Sequence, residues 1–104
     1  MDTREVVLAV REGRSLAGHN LSGLDLSGQD LSKAQLKGAN LTGCNLRGAD
    51  LRGADLSNAN LYNTDLRDAR LRRANLAGSN RMNARIQKWA LKGAYITGPA
   101  AYLD

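Results

Sequence analysis

Leucine recurs at every fifth position from Leu21 to Leu76, twelve times without a gap, and Leu16 extends the series backwards. An α-helix returns a face every ~3.6 residues and a flat strand every two, so neither holds a five-residue row on one side. The backbone must therefore turn once in every five residues. Two positions before each leucine the side chains are mostly small: Ala34, Ala39, Cys44, Ala49, Ala54, Ala59, Thr64, Ala69, Ala74 and Ser79. Asp or Asn usually stands between the small residue and the leucine, and ten of the eleven glycines lie two after the central position. With the small residue and leucine inward and the Asp or Asn outward, three residues form a strand-like edge and two make a corner. Glycine as the second corner residue permits positive φ, and Asn58, Asn63 and Asp68 are the next best substitutes there. A chain that bends at each repeat closes into a coil. Stacked coils then pair their backbone groups at ~4.8 Å and bury leucine against leucine.

A chain of 104 residues builds one such unit and not two independent cores. One Trp, three Tyr and no Phe exclude a core of large rings, so the filling is aliphatic and small. A single cysteine forms no intrachain disulfide and no thiolate metal site. The longest apolar run, Val6 to Val10, falls far short of the roughly 20 residues that span a bilayer. The expectation is a cytoplasmic protein that does not engage membranes.

The repeats Ala39-Asn40-Leu41-Thr42-Gly43, Ala49-Asp50-Leu51-Arg52-Gly53, Ala54-Asp55-Leu56-Ser57-Asn58 and Ala59-Asn60-Leu61-Tyr62-Asn63 resemble the pentapeptide-repeat family. The resemblance runs from Ser15 to Gly78 and more loosely to Gly98. It implies an all-β fold, a right-handed quadrilateral β-helix with four repeats per coil, and the length then gives about four coils. Residues 15–98 form this solenoid, 1–14 an N-terminal cap and 99–104 a C-terminal tail.

An open stack exposes unpaired backbone and leucine at each end, so caps are expected. Asp2 followed three residues later by Glu5, apolar Val6, Ala9 and Val10, and a closing Gly13 are helix start and stop signals. A short helix is favoured, although Val6, Val7 and Val10 also suit a strand. Near the other end Arg81 falls on a leucine position. An unpaired charge is too costly to bury there, so the coil is expected to loosen or bulge. Trp89, Tyr95 and Tyr102 cluster beyond it and form either an aromatic lid or a self-association face that makes a homodimer.

Positions twenty apart stack, so Asn20, Asn40, Asn60 and Asn80 are expected to form an amide ladder along the prism. Arg47 and Arg67 line one face, Arg52, Arg72 and Lys92 the next, and Arg70 and Arg73 join them near the shared corner. Residues 1–40 carry five charges of each sign, whereas 41–104 carry ten basic and five acidic, so the excess charge of +5 lies in the later part. These seven cations are the candidate partner-binding residues. Nucleic acid or another polyanion would be drawn to them, but Asp50, Asp55, Asp65 and Asp68 are interleaved, and Tyr62 is the one aromatic residue read as available for stacking.

Catalysis finds no constellation. His19 is the lone histidine, Cys44 is expected to face inward, and neither a Ser, His and Asp group, a metal-ligand spacing nor a phosphate-binding glycine motif is visible. No enzyme activity and no cofactor are expected. Some pentapeptide-repeat proteins mimic DNA and bind topoisomerases through an acidic rod, which needs the opposite charge. The lead-in Gly13 to Gly28 resembles that of bacterial proteins associated with type VI secretion, implying an accessory or adaptor role. The sequence thus points to a non-catalytic module that docks another protein on a rigid surface.

Overall fold

The computed structural model describes residues 1–97, and the tail 99–104 with Tyr102 lies outside them. Helix α1 spans Thr3–Arg11. Its start is the capping box foreseen from Asp2 and Glu5: the Glu5 N–H donates to Asp2 Oδ1 at 2.8 Å and the Asp2 N–H to Glu5 Oε1 at 3.1 Å. It ends in a Schellman turn, with Gly13 at φ 71° and its N–H on Val10 O, and the Arg14 N–H on Ala9 O. Val6 and Ala9 are buried and Val10 half-buried, so α1 lays its apolar face on the first coil, where Thr3 Oγ1 also donates to Asp25 O at 2.8 Å.

From residue 14 onward the chain winds in pentads. Parallel bridges join residues twenty apart, beginning with Asn20 to Asn40 and ending with Asn75 to Tyr95, so each turn of the solenoid holds four pentads. The four faces are followed through their outward residues. The first runs through Asn20, Asn40, Asn60 and Asn80, the second through Asp25, Asn45, Asp65 and Arg85. The third runs through Asp30, Asp50 and Arg70, and the fourth through Gln35, Asp55, Asn75 and Tyr95. The molecule measures 33 × 21 × 19 Å, a nearly square section.

One pentad shows why five residues suffice. The N–H of Asn40 donates down to His19 O at 2.9 Å, while those of Leu41 and Gly43 donate up to Asn60 O and Tyr62 O, both at 2.8 Å. The Cys44 N–H closes the corner on Leu41 O at 3.0 Å, and the Thr42 N–H is taken by the Asn40 side chain, Oδ1, at 3.1 Å. Every donor is placed, three between coils and two within the corner. The amide ladder is largely replaced by this arrangement. Only Asn40 Nδ2 to Asn20 Oδ1, at 3.3 Å, links the column among the described residues, whereas every Oδ1 in it, that of Asn20 included, caps its own corner, at Ser22, Thr42, Tyr62 and Met82.

The leucines of the five-residue row, from Leu16 to Leu76, are at most 2% exposed, and the small row from Ala34 to Ser79 is buried beside them. Polar members of that row satisfy themselves on backbone: Thr64 Oγ1 donates to Leu61 O, Ser79 Oγ to Leu76 O at 2.8 Å and Cys44 Sγ to Leu21 O at 2.9 Å. In the first coil, which has no complete coil beneath it, Leu24 and Gln29 are half-buried and His19 is exposed.

Arg81 corrects an expectation. It is 2% exposed in the leucine slot, and the coil stays regular around it, with the bridge at Asn80 before it and at Arg85 after it. Its stem replaces leucine, and Nη1 donates to Ser79 Oγ at 3.1 Å and weakly to Leu76 O at 3.4 Å. Nε and Nη2 find no partner among the described residues, and burial lowers the guanidinium's pKa. The winding departs later, at the 3₁₀ turn Lys88–Leu91, which buries Ala90 and half-buries Leu91. No described helix is long and apolar enough to cross a membrane.

Candidate functional site

The arginines after the leucines divide according to the residue two places earlier. Where that residue is aspartate, its carboxylate accepts both the backbone N–H of the corner and the guanidinium. Asp50 takes Arg52 through Nε at 2.9 Å and Nη2 at 2.7 Å, and Asp65 takes Arg67 with the same two distances. The hydrogen bond from Arg67 pulls the Asp65 carboxyl down to about 2, and Arg52 likewise lowers that of Asp50. Arg47, which follows Asn45, instead reaches across its corner toward Asp68 at 3.7 Å. The corner between the second and third faces, holding Arg47 and Arg67, is therefore balanced by its own acids. The expectation of two basic faces reduces to one.

On the third face the pattern changes at its third leucine, Leu71. Arg70 stacks on Asp50 where a further aspartate would clamp Arg72. Arg72 consequently has no acid at its own corner, and Arg70 adds a second charge. Arg73 follows at φ 64°, with Lys92 in the slot one coil above Arg72. None of Arg70, Arg72, Arg73 and Lys92 makes a salt bridge among the described residues, and all are exposed. They form one cationic edge between the third and fourth faces.

Lys33, which the sequence reading did not select, belongs to the same edge. It occupies the glycine slot after Leu31 with φ 62°, two coils below Arg73, with Gly53 between them. A long cationic side chain in a slot that glycine usually fills was the signal for it. Lys33, Arg52, Gly53, Arg72 and Arg73 surround a shallow hollow of about 480 Å³. A second hollow of about 230 Å³ adjoins it, lined by Arg52, Arg70, Arg72, Lys92 and Trp89.

Trp89 does not close the tube. It is 66% exposed, because the 3₁₀ turn directs Ala90 inward instead, and the lid reading is corrected accordingly. Tyr95 is 61% exposed on the fourth face, where its backbone bridges Asn75. Tyr102 lies outside the described residues. The aromatic residue beside the cations is thus Trp89, whereas Tyr62 occupies the diagonally opposite corner. The edge thus gathers positive charge beside an exposed indole. Cys44 is buried and its thiol pKa is raised by burial, which suits packing rather than reactivity.

The family model described as pentapeptide repeats matches residues 15–48 and 49–87. Among solved structures, the chain resembles alr5209, a pentapeptide repeat protein from Nostoc, at 33% identity and a TM-score of 0.66, covering 92% of this chain and 96% of that one. It also resembles the pentapeptide repeat protein AT2G44920 from the Arabidopsis thaliana thylakoid lumen, at 29% identity and a TM-score of 0.53, covering 88% of this chain and 59% of the other. No curated protein matches. None of these descriptions refers to secretion, so the likeness of Gly13 to Gly28 to secretion-associated proteins gains no support from them.

Proposed function

The chain belongs to the pentapeptide-repeat family, a family of generally non-catalytic structural or interaction modules, and from that premise we propose that it docks an acidic partner protein on the edge between its third and fourth faces. The observation that carries this reading is the replacement of a clamping aspartate by Arg70 on the third face, which leaves Arg72 without a clamp beside Arg70, Arg73 and Lys92, none of which makes a salt bridge among the described residues. Solubility alone would be served as well by the neutralised pairs at Arg52 and Arg67. A cluster of unneutralised cations on a preorganised edge instead steers and registers an anionic surface, and the rigid backbone loses little entropy on binding. Trp89 at the rim adds an anchor of a type enriched at interface centres. Mimicry of DNA would need an acidic face, and this edge has the opposite sign.

The test is capture by wild-type protein and by the Arg72→Glu, Arg73→Glu double variant, followed by reconstitution with the purified captured protein. Both substitutions lie at an exposed corner and are expected to preserve the circular dichroism spectrum. Loss of the complex in the variant supports the reading, and undiminished binding rejects it.

A further inference from the structure

The geometry of the hollow around Gly53 points to a phosphate monoester on the partner, a phosphorylated serine, threonine or tyrosine, as the group this edge grips. The inference rests on the docking surface proposed above. Lys33, Arg72 and Arg73 line a single hollow together with Gly53, over which the Lys33 stem packs. A carboxylate carries one charge and saturates one arginine fork. A phosphate carries about −1.5 to −2 and presents three acceptor oxygens, enough for two forks and an ammonium.

Backbone conformation supports a use for these cations. Among the described residues six other than glycine have positive φ, and four of them are Asn58, Asn63, Asp68 and Asn83, types that tolerate it. The other two are Lys33 and Arg73, in the same corner column as Gly53 and Gly93. Strain retained at two points of one column, each time with a long cationic side chain, marks a site rather than a scaffold.

The surroundings favour one compact dianion over a nucleic-acid strand. A strand would run on past the hollow and meet Asp30 at the foot of the third face, Asp50 above it and Asp55 on the fourth. All three carboxyls have lowered pKa values, chiefly through hydrogen bonds from Ser32, Arg52 and Ser57, so they stay ionised. A single phosphorylated side chain engages the hollow alone, where Arg52 already offsets Asp50 and Ser32 hydrogen-bonds Asp30, and its neighbours along the partner chain can reach Trp89 in the adjoining hollow.

Trp89 is the sole tryptophan, so its emission reports on this edge. The full chain is titrated with a short phosphoserine peptide, its unphosphorylated and glutamate counterparts, and oligothymidylate, at ~0.15 M salt. The expected result is saturable binding of the phosphopeptide, at least about tenfold tighter than the glutamate peptide, weakened about tenfold or more by Arg72→Gln or Arg73→Gly and unchanged by Arg47→Gln. Equal affinity for the glutamate peptide overturns the phosphate assignment and leaves the docking surface standing. Tighter binding of oligothymidylate overturns it in favour of nucleic acid. Absence of phosphopeptide binding, with partner capture still dependent on Arg72 and Arg73, rejects the phosphate alone. Partner capture independent of both arginines rejects the docking surface itself.

Discussion

Arg70 sits directly on Asp50 in the parallel ladder of the third face, and this one exchange of an acid for a base releases the arginine two residues on. Below it Asp50 holds Arg52 through two hydrogen bonds, whereas Arg72 has none to a carboxylate among the described residues.

Restoring the clamp is therefore expected to silence the site without harming the fold. Arg70→Asp places a carboxylate two residues before Arg72, in the arrangement already used at Asp50 and Asp65. Anion affinity should fall about tenfold or more and its salt dependence should flatten, measured by titration at two ionic strengths, while the melting temperature stays within about 2 °C.

Arg81→Leu is expected to stabilise the protein. The substitution completes the column of Leu21, Leu41 and Leu61 and removes two guanidinium nitrogens that lack partners among the described residues. Replacing a buried charge by a well-packed apolar side chain is worth about 1 kcal/mol or more, hence a rise of about 4 °C or more in calorimetric Tm.

Leu51→Asp should abolish folding. Leu51 is 0% exposed in the middle of the stack, and loss of its packing together with burial of a carboxylate exceeds about 4 kcal/mol. Arg47→Ser, at an exposed corner, should leave the thermal transition within about 2 °C of wild type. Circular dichroism distinguishes the two outcomes directly.

Acid sensitivity follows from Asp65. Its carboxyl moves from 3.8 to about 2 in the folded protein, so the folded pKa lies below the unfolded one. Such a group contributes fully above about pH 4, and the contribution is lost as pH falls through 2. Tm should be flat with respect to this group from pH 7 to 5 and decline below about pH 4. Asp65→Asn should be less stable than wild type at pH 6, with the gap closing toward pH 2.

Lys33→Gly and Arg73→Gly should each leave stability equal or raise it by up to about 1 kcal/mol, because glycine accepts positive φ without strain. Both should weaken anion binding. A rise in Tm coupled to a loss of affinity would separate function from folding at these two positions.

The five-residue leucine row made the inward positions legible, since no other regular backbone turns at that interval. The helix start was legible for the same local reason, in Asp2 and Glu5. The outward Asp and Asn residues were harder to read. Stacking by twenty suggested that they serve each other, yet each lies nearer to the N–H two residues ahead, and that contact prevails. Pairing of Arg52 with Asp50 and of Arg67 with Asp65 depends on the same two-residue reach across a corner, which a count of charges per face does not reveal. Arg81 causes no bulge because an arginine stem can fill a leucine slot while one nitrogen finds Ser79. Trp89 stays outside because the 3₁₀ turn shifts the inward register to Ala90, which the five-residue spacing does not reveal.

The twenty-residue spacing of the bridges couples the interior and exterior of this molecule very differently to changes of length. Removal of a single pentad would leave leucine following leucine inside, yet everything downstream would swing by a quarter turn, carrying Arg72 and Arg73 away from Lys33. Only whole circuits can be gained or lost without redrawing the outer charge map, so descendants of such a chain are expected to differ in size by multiples of one circuit if they keep the same binding edge.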